Sequence, residues 1–182
     1  MTAKLASSSS APAPKKAKKV SPTAAKIPEQ DSSITIVNDN VILSMAAGLV
    51  PVPGIDIAAI TGIQVKLVAD LAKKYGVPFK EDMIKGLVVG LLAGAGTTFI
   101  GRTLAASAAK FIPFVGTAAG MIAVPITAGA ATYAIGRIFV NHFESGGTLI
   151  NFDSDKAKEH YTAFFEEGKK IAADFKDAAK AI

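Results

Sequence analysis

Residues 41–65 read VILSMAAGLVPVPGIDIAAITGIQV, and Asp56 is the single charged residue among them. A run of this length would nominally cross a bilayer. Pro51, Pro53 and Gly54 fall near its centre, and the two prolines lack amide donors and clash with the preceding turn, so one straight helix is disfavoured. The pattern therefore predicts a hairpin broken at these three residues, with arms of about nine residues that rise only roughly 14 Å.

Asp56 directly follows this break. An ionised carboxylate in hydrocarbon is costly, whereas a carboxylate near a helix N-terminus accepts hydrogen bonds from unpaired amides. We therefore expect Asp56 to cap the second arm rather than to serve as a proton or ion site.

A second uncharged run covers residues 111–136 and contains Pro113 and Pro125. Gly116 and Gly120 lie between these prolines and add little side-chain bulk to the run. The pattern predicts another broken hydrophobic hairpin rather than a plain spanning helix. Its expected breaks are Pro113, Gly116 and Pro125.

Glycines at helical spacing predict close packing between helices. Residues 86–101 carry no charge and begin a row in which glycine recurs at every fourth position. Such a row strips one helical face of side chains and lets a second backbone approach closely. We expect this row to support self-association; the alternative is close packing inside the chain's own helical bundle. The residues expected to pack in this way are Gly86, Gly90, Gly94, Gly116 and Gly120.

Residues 1–33 are rich in Ser, Ala, Pro and Lys and contain few large apolar side chains. Such a segment cannot bury enough surface to offset the entropy of ordering, so we expect a disordered basic tail. Lys15, Lys16, Lys18 and Lys19 would attract anionic lipid, at about 1 kcal/mol for each lysine near the surface. A solvated linker and nucleic acid binding are the alternatives for this tail, and nucleic acid is not an expected partner.

Residues 151–182 predict an amphipathic C-terminal helix. Its apolar positions include Tyr161, Phe164, Ile171 and Phe175, which belong to a seam spaced alternately by three and four residues. The helix is near the lower length limit for an independent coiled coil. We therefore expect this seam to dock onto the protein core or onto a partner helix.

Together the patterns predict an all-α protein in three segments: the tail of residues 1–33, a hydrophobic helical-hairpin domain over residues 34–150, and the amphipathic helix of residues 151–182. Three full membrane crossings would place the lysines of residues 66–85 opposite the basic tail, against the positive-inside rule. Hairpins that enter and leave on one side avoid this conflict. We therefore expect hairpins inserted into the cytosolic leaflet, where such wedges would favour curvature.

Catalytic chemistry is not expected from these residues. The chain has no cysteine, and its two histidines, His142 and His160, are too few and too separated in sequence to suggest a metal site. It contains no phosphate-binding Gly-x-x-x-x-Gly-Lys-Ser/Thr loop and no serine in a nucleophile elbow. We expect no catalytic residue, no cofactor and no metal, and the N-terminus has no signal-peptide pattern.

Four stretches carry a resemblance to a known family. They are Leu49–Asp56 (LVPVPGID), Leu71–Val77 (LAKKYGV), Gly136–Phe139 (GRIF) and His142–Leu149 (HFESGGTL). Together they resemble the bacterial YcjF-type domain of unknown function, which often occurs behind small GTPase domains, over about residues 36–172. The resemblance implies membrane association, mostly in bacteria, and in some members a GTPase partner.

The expected function is that of a membrane-associated structural protein that self-associates and shapes or coats the membrane. Its expected partners are membrane lipid, preferably anionic, and further copies of the chain. The expected location is the cytosolic face of the bacterial inner membrane or of an intracellular membrane. One alternative is an adaptor that recruits a protein such as a GTPase. Another is an oligomeric pore, which is disfavoured because no polar stripe lines the apolar segments.

Overall fold

A computed structural model describes residues 26–50, 55–94 and 116–180, and all regular structure in these ranges is helical. The helices are α1 (Lys26–Ala47), α2 (Ile55–Lys74), α3 (Glu81–Gly94), α4 (Gly116–Glu144) and α5 (Ser154–Lys180). The predicted all-α class is therefore confirmed.

Helix α4 is the centre of the fold. It packs against α1, α2 and α5, while α3 rests on α2 and α5. Ala134, Ile135 and Phe139 of α4 are completely buried. Helix α4 is therefore surrounded by its neighbours, and α1 and α5 also touch each other.

Part of α4, Ala123–Glu144, is long and apolar enough to cross a membrane. The protein itself buries 78% of the most apolar window in this stretch. The central helix of a soluble protein has the same composition, because it is also surrounded by apolar side chains. The composition of α4 is therefore explained by its place in the core.

Helices α1 and α2 form an antiparallel hairpin. Ser33, near the start of α1, has its hydroxyl 2.7 Å from the hydroxyl of Tyr75, just beyond the end of α2. The chain reverses between Ala47 and Ile55, where the hairpin was predicted to break. The breaking residues Pro51, Pro53 and Gly54 themselves lie outside the described residues.

The helices extend beyond the predicted arms of about nine residues, which were the uncharged segments beside the break. Helix α1 has 22 residues and α2 has 20, so the whole helices rise about 33 and 30 Å. The predicted end of the N-terminal tail at residue 33 was wrong, because α1 begins at Lys26. The physical reason is that Ser33 is fully buried against the end of α2, so it belongs to the hairpin.

Pro125 does not break the chain, contrary to the sequence prediction. It lies inside α4, which is continuous from Gly116 to Glu144. A proline in a helix removes one backbone hydrogen bond, but Pro125 is packed closely against the backbone of Gly48, which directly follows α1. The packing of α4 against α1, α2 and α5 outweighs the local cost. Gly116 is the first residue of α4, and Pro113 lies outside the described residues.

Candidate functional site

The connected ends of α1 and α2 expose large apolar side chains. Leu49 is 56% exposed and Ile55 is 57% exposed, although most residues of these types are buried in a folded protein. We call this region the tip surface; its exposed large apolar side chains are Ile42, Leu43, Leu49, Val50 and Ile55. No charged side chain lies on it, since Asp56 is the single charge between residues 41 and 65 and is only 1% exposed.

The interior behind the tip surface holds polar side chains among buried apolar ones such as Val41, Met45 and Ile60. Its buried polar residues are Asn40, Ser44, Asp56, Gln64 and Thr132. Buried polar side chains behind an exposed apolar surface depart from the usual arrangement of a soluble helical bundle. In a membrane, polar side chains face the bundle interior and apolar ones face lipid.

The buried polar side chains form several hydrogen bonds, although Asn40 Oδ1 and Gln64 Oε1 have no hydrogen-bond partner among the described residues. The Gln64 side-chain amide donates to the Thr132 hydroxyl at 3.3 Å and joins α2 to α4. The Asn40 amide donates to the Ile36 carbonyl at 2.8 Å, and the Ser44 hydroxyl donates to the Val41 carbonyl at 2.8 Å. These bonds reduce the cost of burying polar atoms behind an apolar surface.

Asp56 occupies the first turn of α2. Its Oδ1 accepts a hydrogen bond from the backbone amide of Ile57 at 2.8 Å. A carboxylate in this position also interacts favourably with the positive end of the helix dipole. Asp56 therefore lies at the N-terminal end of α2, where the cap was expected, although it is the second residue of the helix.

The glycine row of α3 is divided between two environments. A Cβ added to Gly86 or Gly90 would have no described atom within 4 Å, since both glycines face outward. A Cβ added to Gly94 would lie 2.1 Å from the Lys158 side chain. Gly94 therefore lies beside the Lys158 side chain of the same chain, and its packing against another copy stays a prediction. The opposite face of α3 holds the buried Ile84, Val88 and Leu91.

Gly116 and Gly120, the other two expected packing residues, lie in the first turns of α4. Lys15, Lys16, Lys18 and Lys19 of the basic tail lie outside the described residues.

The seam of α5 is covered by the chain itself. Tyr161 is 2% exposed within the core, and Phe164, Ile171 and Phe175 pack against that core. The structure therefore has core docking, one of the two expected uses. Because the seam packs against the core of the same chain, docking of a partner helix on it stays a prediction for its partly buried residues Phe164, Ile171 and Phe175.

Polar contacts reinforce the α4–α5 contact. The Tyr133 hydroxyl donates to the Glu167 carboxylate at 2.6 Å. Burial, and secondarily this hydrogen bond, raise the pKa of Tyr133 to about 12, while nearby Arg137 opposes the rise. The Arg137 guanidinium lies 5.7 Å from the centre of the Phe164 ring.

One group of residues was missed by sequence reasoning. His142 and His160, 18 positions apart in the sequence, line the same pocket at the end of the bundle away from the tip surface. The turn between α4 and α5 brings the two histidines together. A helical or heptad pattern within one segment does not predict that residues of two different helices line one pocket. Among the described residues, no group of three His, Cys, Asp or Glu is placed to hold a metal ion.

Comparison with known proteins identifies the family. Residues 18–170 match the family described as Domain of unknown function (DUF697). The chain is also 40% identical, over 174 residues, to Magnetosome membrane protein 22 of Magnetospirillum gryphiswaldense, covering 92% of this chain and 89% of that protein. No solved structure matches the chain. The resemblance to the YcjF-type domain is thereby confirmed, and the chain belongs to the DUF697 family of domains of unknown function.

Proposed function

We propose that this protein is a membrane-associated structural protein that inserts its tip surface into the cytosolic leaflet of a membrane. The observation that carries the proposal is the uncharged apolar surface at one end of the bundle, where Leu49 and Ile55 are more than half exposed while the polar Asn40 and Gln64 are buried. The relative named as a magnetosome membrane protein supports membrane association. In this proposal the chain is not an enzyme and uses no cofactor.

The tip surface has the right depth for one leaflet. Asp39, on the outside of α1, is the last exposed charge before the tip. From Asp39 to Ala47 the helix rises about 12 Å, and one leaflet contributes about 15 Å of hydrocarbon. On α2 the first exposed charge is Lys66, which forms an ion pair with Asp70 at 2.6 Å. If the tip surface inserts as far as Asp39 and Lys66, both charged side chains remain in the headgroup region.

Helix α5 sets the orientation. Ala172 of α5 and Met45 of α1 both lie against Gly129 of α4, so α5 reaches the level of the tip-side turns of α1. The outer side of α5 carries exposed charges such as Lys170 and Asp174, and turning it into lipid would bury those charges at a cost of several kcal/mol. In this proposal the bundle is therefore tilted, so that the tip end of the α1–α2 pair enters lipid while α5 stays on the headgroup side.

We further propose that copies of the protein associate through the open face of α3. Gly86 and Gly90 leave this face without side chains, and Met83 and Val89 expose apolar surface beside them. The absence of Cβ atoms lets another helix approach closely. Repeated shallow insertion by an assembly of this kind would expand one leaflet and favour curvature.

Vesicle flotation tests the insertion. Leu49→Asp and Ile55→Asp each place a charge on the tip surface, and we expect each to weaken binding to vesicles of 70% phosphatidylcholine and 30% phosphatidylglycerol by at least about tenfold, since a charged residue in hydrocarbon costs about 2.5–3.5 kcal/mol. Ile150→Asp is the matched control, because Ile150 is 87% exposed in the loop at the opposite end. Equal binding by all three variants would refute insertion through the tip.

A further inference from the structure

The bundle end away from the tip surface contains an open pocket of about 370 Å³. It lies between the last turns of α4, the connecting loop of residues 145–153 and the first turns of α5. Its polar side chains include Asn141, His142, Asn151, Asp153, Lys156 and His160. Ile138, Phe152 and Phe164 supply apolar walls. A small cavity that combines aromatic walls with converging polar groups is typical of a small-molecule site.

The loop wall of this pocket is held in place by hydrogen bonds. The His142 Nε2 lies 2.8 Å from the Thr148 carbonyl oxygen, so this nitrogen carries the proton that it donates. Asn151 Oδ1 accepts a hydrogen bond from the Thr148 amide at 2.7 Å. Phe152 stacks on Phe139 with ring centres 4.6 Å apart. The pocket residues on this wall are therefore fixed before any ligand binds.

Two glycines make this arrangement possible. Gly146 has a φ of 83°, which favours glycine. A Cβ on Gly147 would lie 2.4 Å from the His142 ring, so no side chain fits there. The Gly147 amide also donates to the His142 carbonyl at 2.9 Å. The Gly-Gly pair thus ends α4 and lets the loop fold over the imidazole.

The carboxylate in the pocket is occupied by the protein. Asp153 Oδ1 accepts from the backbone amides of Asp155 at 3.1 Å and Lys156 at 3.2 Å. The hydrogen bond from the Lys156 amide is the largest cause of a lowered Asp153 pKa. The Asp153 carboxylate therefore caps α5 and stays ionised, and Lys156 is the cation that offsets its charge beside the pocket.

The donors of the pocket remain available. The Lys156 ammonium is 3.6 Å from Asp153 Oδ2, and its side chain is 80% exposed, so this ion pair is weak. Among the described residues, no hydrogen bond uses the side chain of Asn141 or His160. A neutral imidazole can donate one N–H, an amide two and an ammonium three. These donors approach from two helices, Asn141 from α4 and Lys156 and His160 from α5.

We propose that this pocket binds a small soluble anion of the phosphomonoester class, whose organic body lies against Phe152 and Phe164. A phosphate group offers three terminal oxygens to donors that arrive from several directions, and charge-assisted hydrogen bonds to Lys156 strengthen its binding. The pocket volume is near the lower end for small-molecule sites, which suits a ligand of metabolite size. The pocket also faces away from the tip surface, so it stays open to the cytosol while the tip is in lipid.

Nuclear magnetic resonance titration of the full chain with phenyl phosphate tests the proposal. The two histidine rings give two assignable signals, and we expect both to shift saturably at millimolar concentration or below. Inorganic phosphate should bind more weakly, because it lacks the ring, and phenol at equal ionic strength should produce no saturable shift. Absence of saturation by phenyl phosphate at about 10 mM would overturn the proposal.

Variants locate the binding. Lys156→Gln and His160→Gln change partly exposed side chains and should weaken phenyl phosphate binding at least fivefold. Lys176→Gln on the same helix removes an equal charge outside the pocket and should leave the affinity unchanged. Equal weakening by all three variants would mean nonspecific attraction to a basic surface and would refute the site.

Vesicles containing phosphatidic acid distinguish a soluble phosphomonoester from a lipid headgroup with the same chemistry. If the ligand is soluble, His160→Gln binds these vesicles as tightly as the unmodified chain. Weaker vesicle binding by His160→Gln would overturn the soluble assignment and place the pocket at the membrane. Because the tip variants are scored on vesicles without phosphatidic acid, failure of insertion and failure of the pocket are measured separately.

Discussion

Gly48, directly after α1, and Pro125 of α4 meet so closely that a Cβ on Gly48 would lie 3.2 Å from the Pro125 Cα. This contact explains how a proline can remain inside a continuous helix. Pro125 has no backbone N–H, so α4 lacks one hydrogen bond at this position. The close packing of the two backbones supports the helix there. It also joins the end of α1 next to the tip surface to the central helix.

The first prediction concerns this crossing. Gly48→Val adds a branched side chain against the backbone of Pro125, and overpacking of this kind costs about 1–3 kcal/mol. We expect a lower thermal unfolding midpoint, measured by circular dichroism. Gly62→Val is the control, because a Cβ at Gly62 meets no described atom within 4 Å. Equal melting of the two variants would contradict the close approach of α1 and α4.

A second prediction uses glycines in opposite environments. A Cβ on Gly168 in α5 would lie 2.9 Å from the Ala130 carbonyl oxygen, a backbone atom that cannot move aside easily. Gly168→Ala should therefore lower the free energy of unfolding by about 1–3 kcal/mol. Gly90→Ala should raise it by about 0.5–1 kcal/mol in the monomer, because alanine is the better helix former and the space is open. Denaturant unfolding measures both signs, and a stabilised Gly168→Ala would contradict the α4–α5 packing.

The third prediction tests self-association through α3. Gly86→Leu and Gly90→Leu fill the open face without touching the described core. If copies pack through this face, the variants should reduce the oligomer size seen by analytical ultracentrifugation in detergent. Glu81→Ala, at the start of the same helix, serves as the control for changes elsewhere on α3. Unchanged oligomers in both leucine variants would exclude this face as the contact between copies.

The fourth prediction concerns alkaline pH. The pKa of Tyr133 is raised to about 12, first by burial and then by its hydrogen bond to Glu167, and burial also raises the pKa of Tyr161. A free tyrosine titrates near 10, so the unfolded chain loses these protons first and stability should fall as pH rises above about 10. Glu167→Gln removes the neighbouring negative charge and should lower the Tyr133 midpoint in a tyrosinate absorbance titration. Tyr161→Phe removes the absorbance change of the second buried tyrosine and so isolates that of Tyr133. An unchanged Tyr133 midpoint in Glu167→Gln would contradict the hydrogen bond between Tyr133 and Glu167.

Features that depend on residues close together in the chain could be predicted from the sequence. Features that depend on residues far apart in the chain were missed. Prolines and an absence of charge act locally, so the reversal of the chain before Ile55 could be predicted. Pro125 was misinterpreted because its tolerance depends on Gly48, which is remote in the sequence. The pocket was missed because His142 and His160 approach only when the loop folds over α4. The α5 seam shows the same limit, since periodicity predicts an apolar face without saying what covers it.

The fifth prediction measures the depth of the tip surface directly. The chain has no cysteine, so one introduced thiol reports one position. On vesicles, Leu49→Cys should react with a water-soluble maleimide at least about tenfold more slowly than in solution, because hydrocarbon excludes the reagent and disfavours the thiolate. Ile150→Cys, at the opposite end, should react equally fast with and without vesicles. Both residues are more than half exposed in the protein itself, so protein burial does not protect either thiol. Protection at position 49 alone is expected from tip insertion, whereas protection at both positions would mean that the whole bundle enters the membrane.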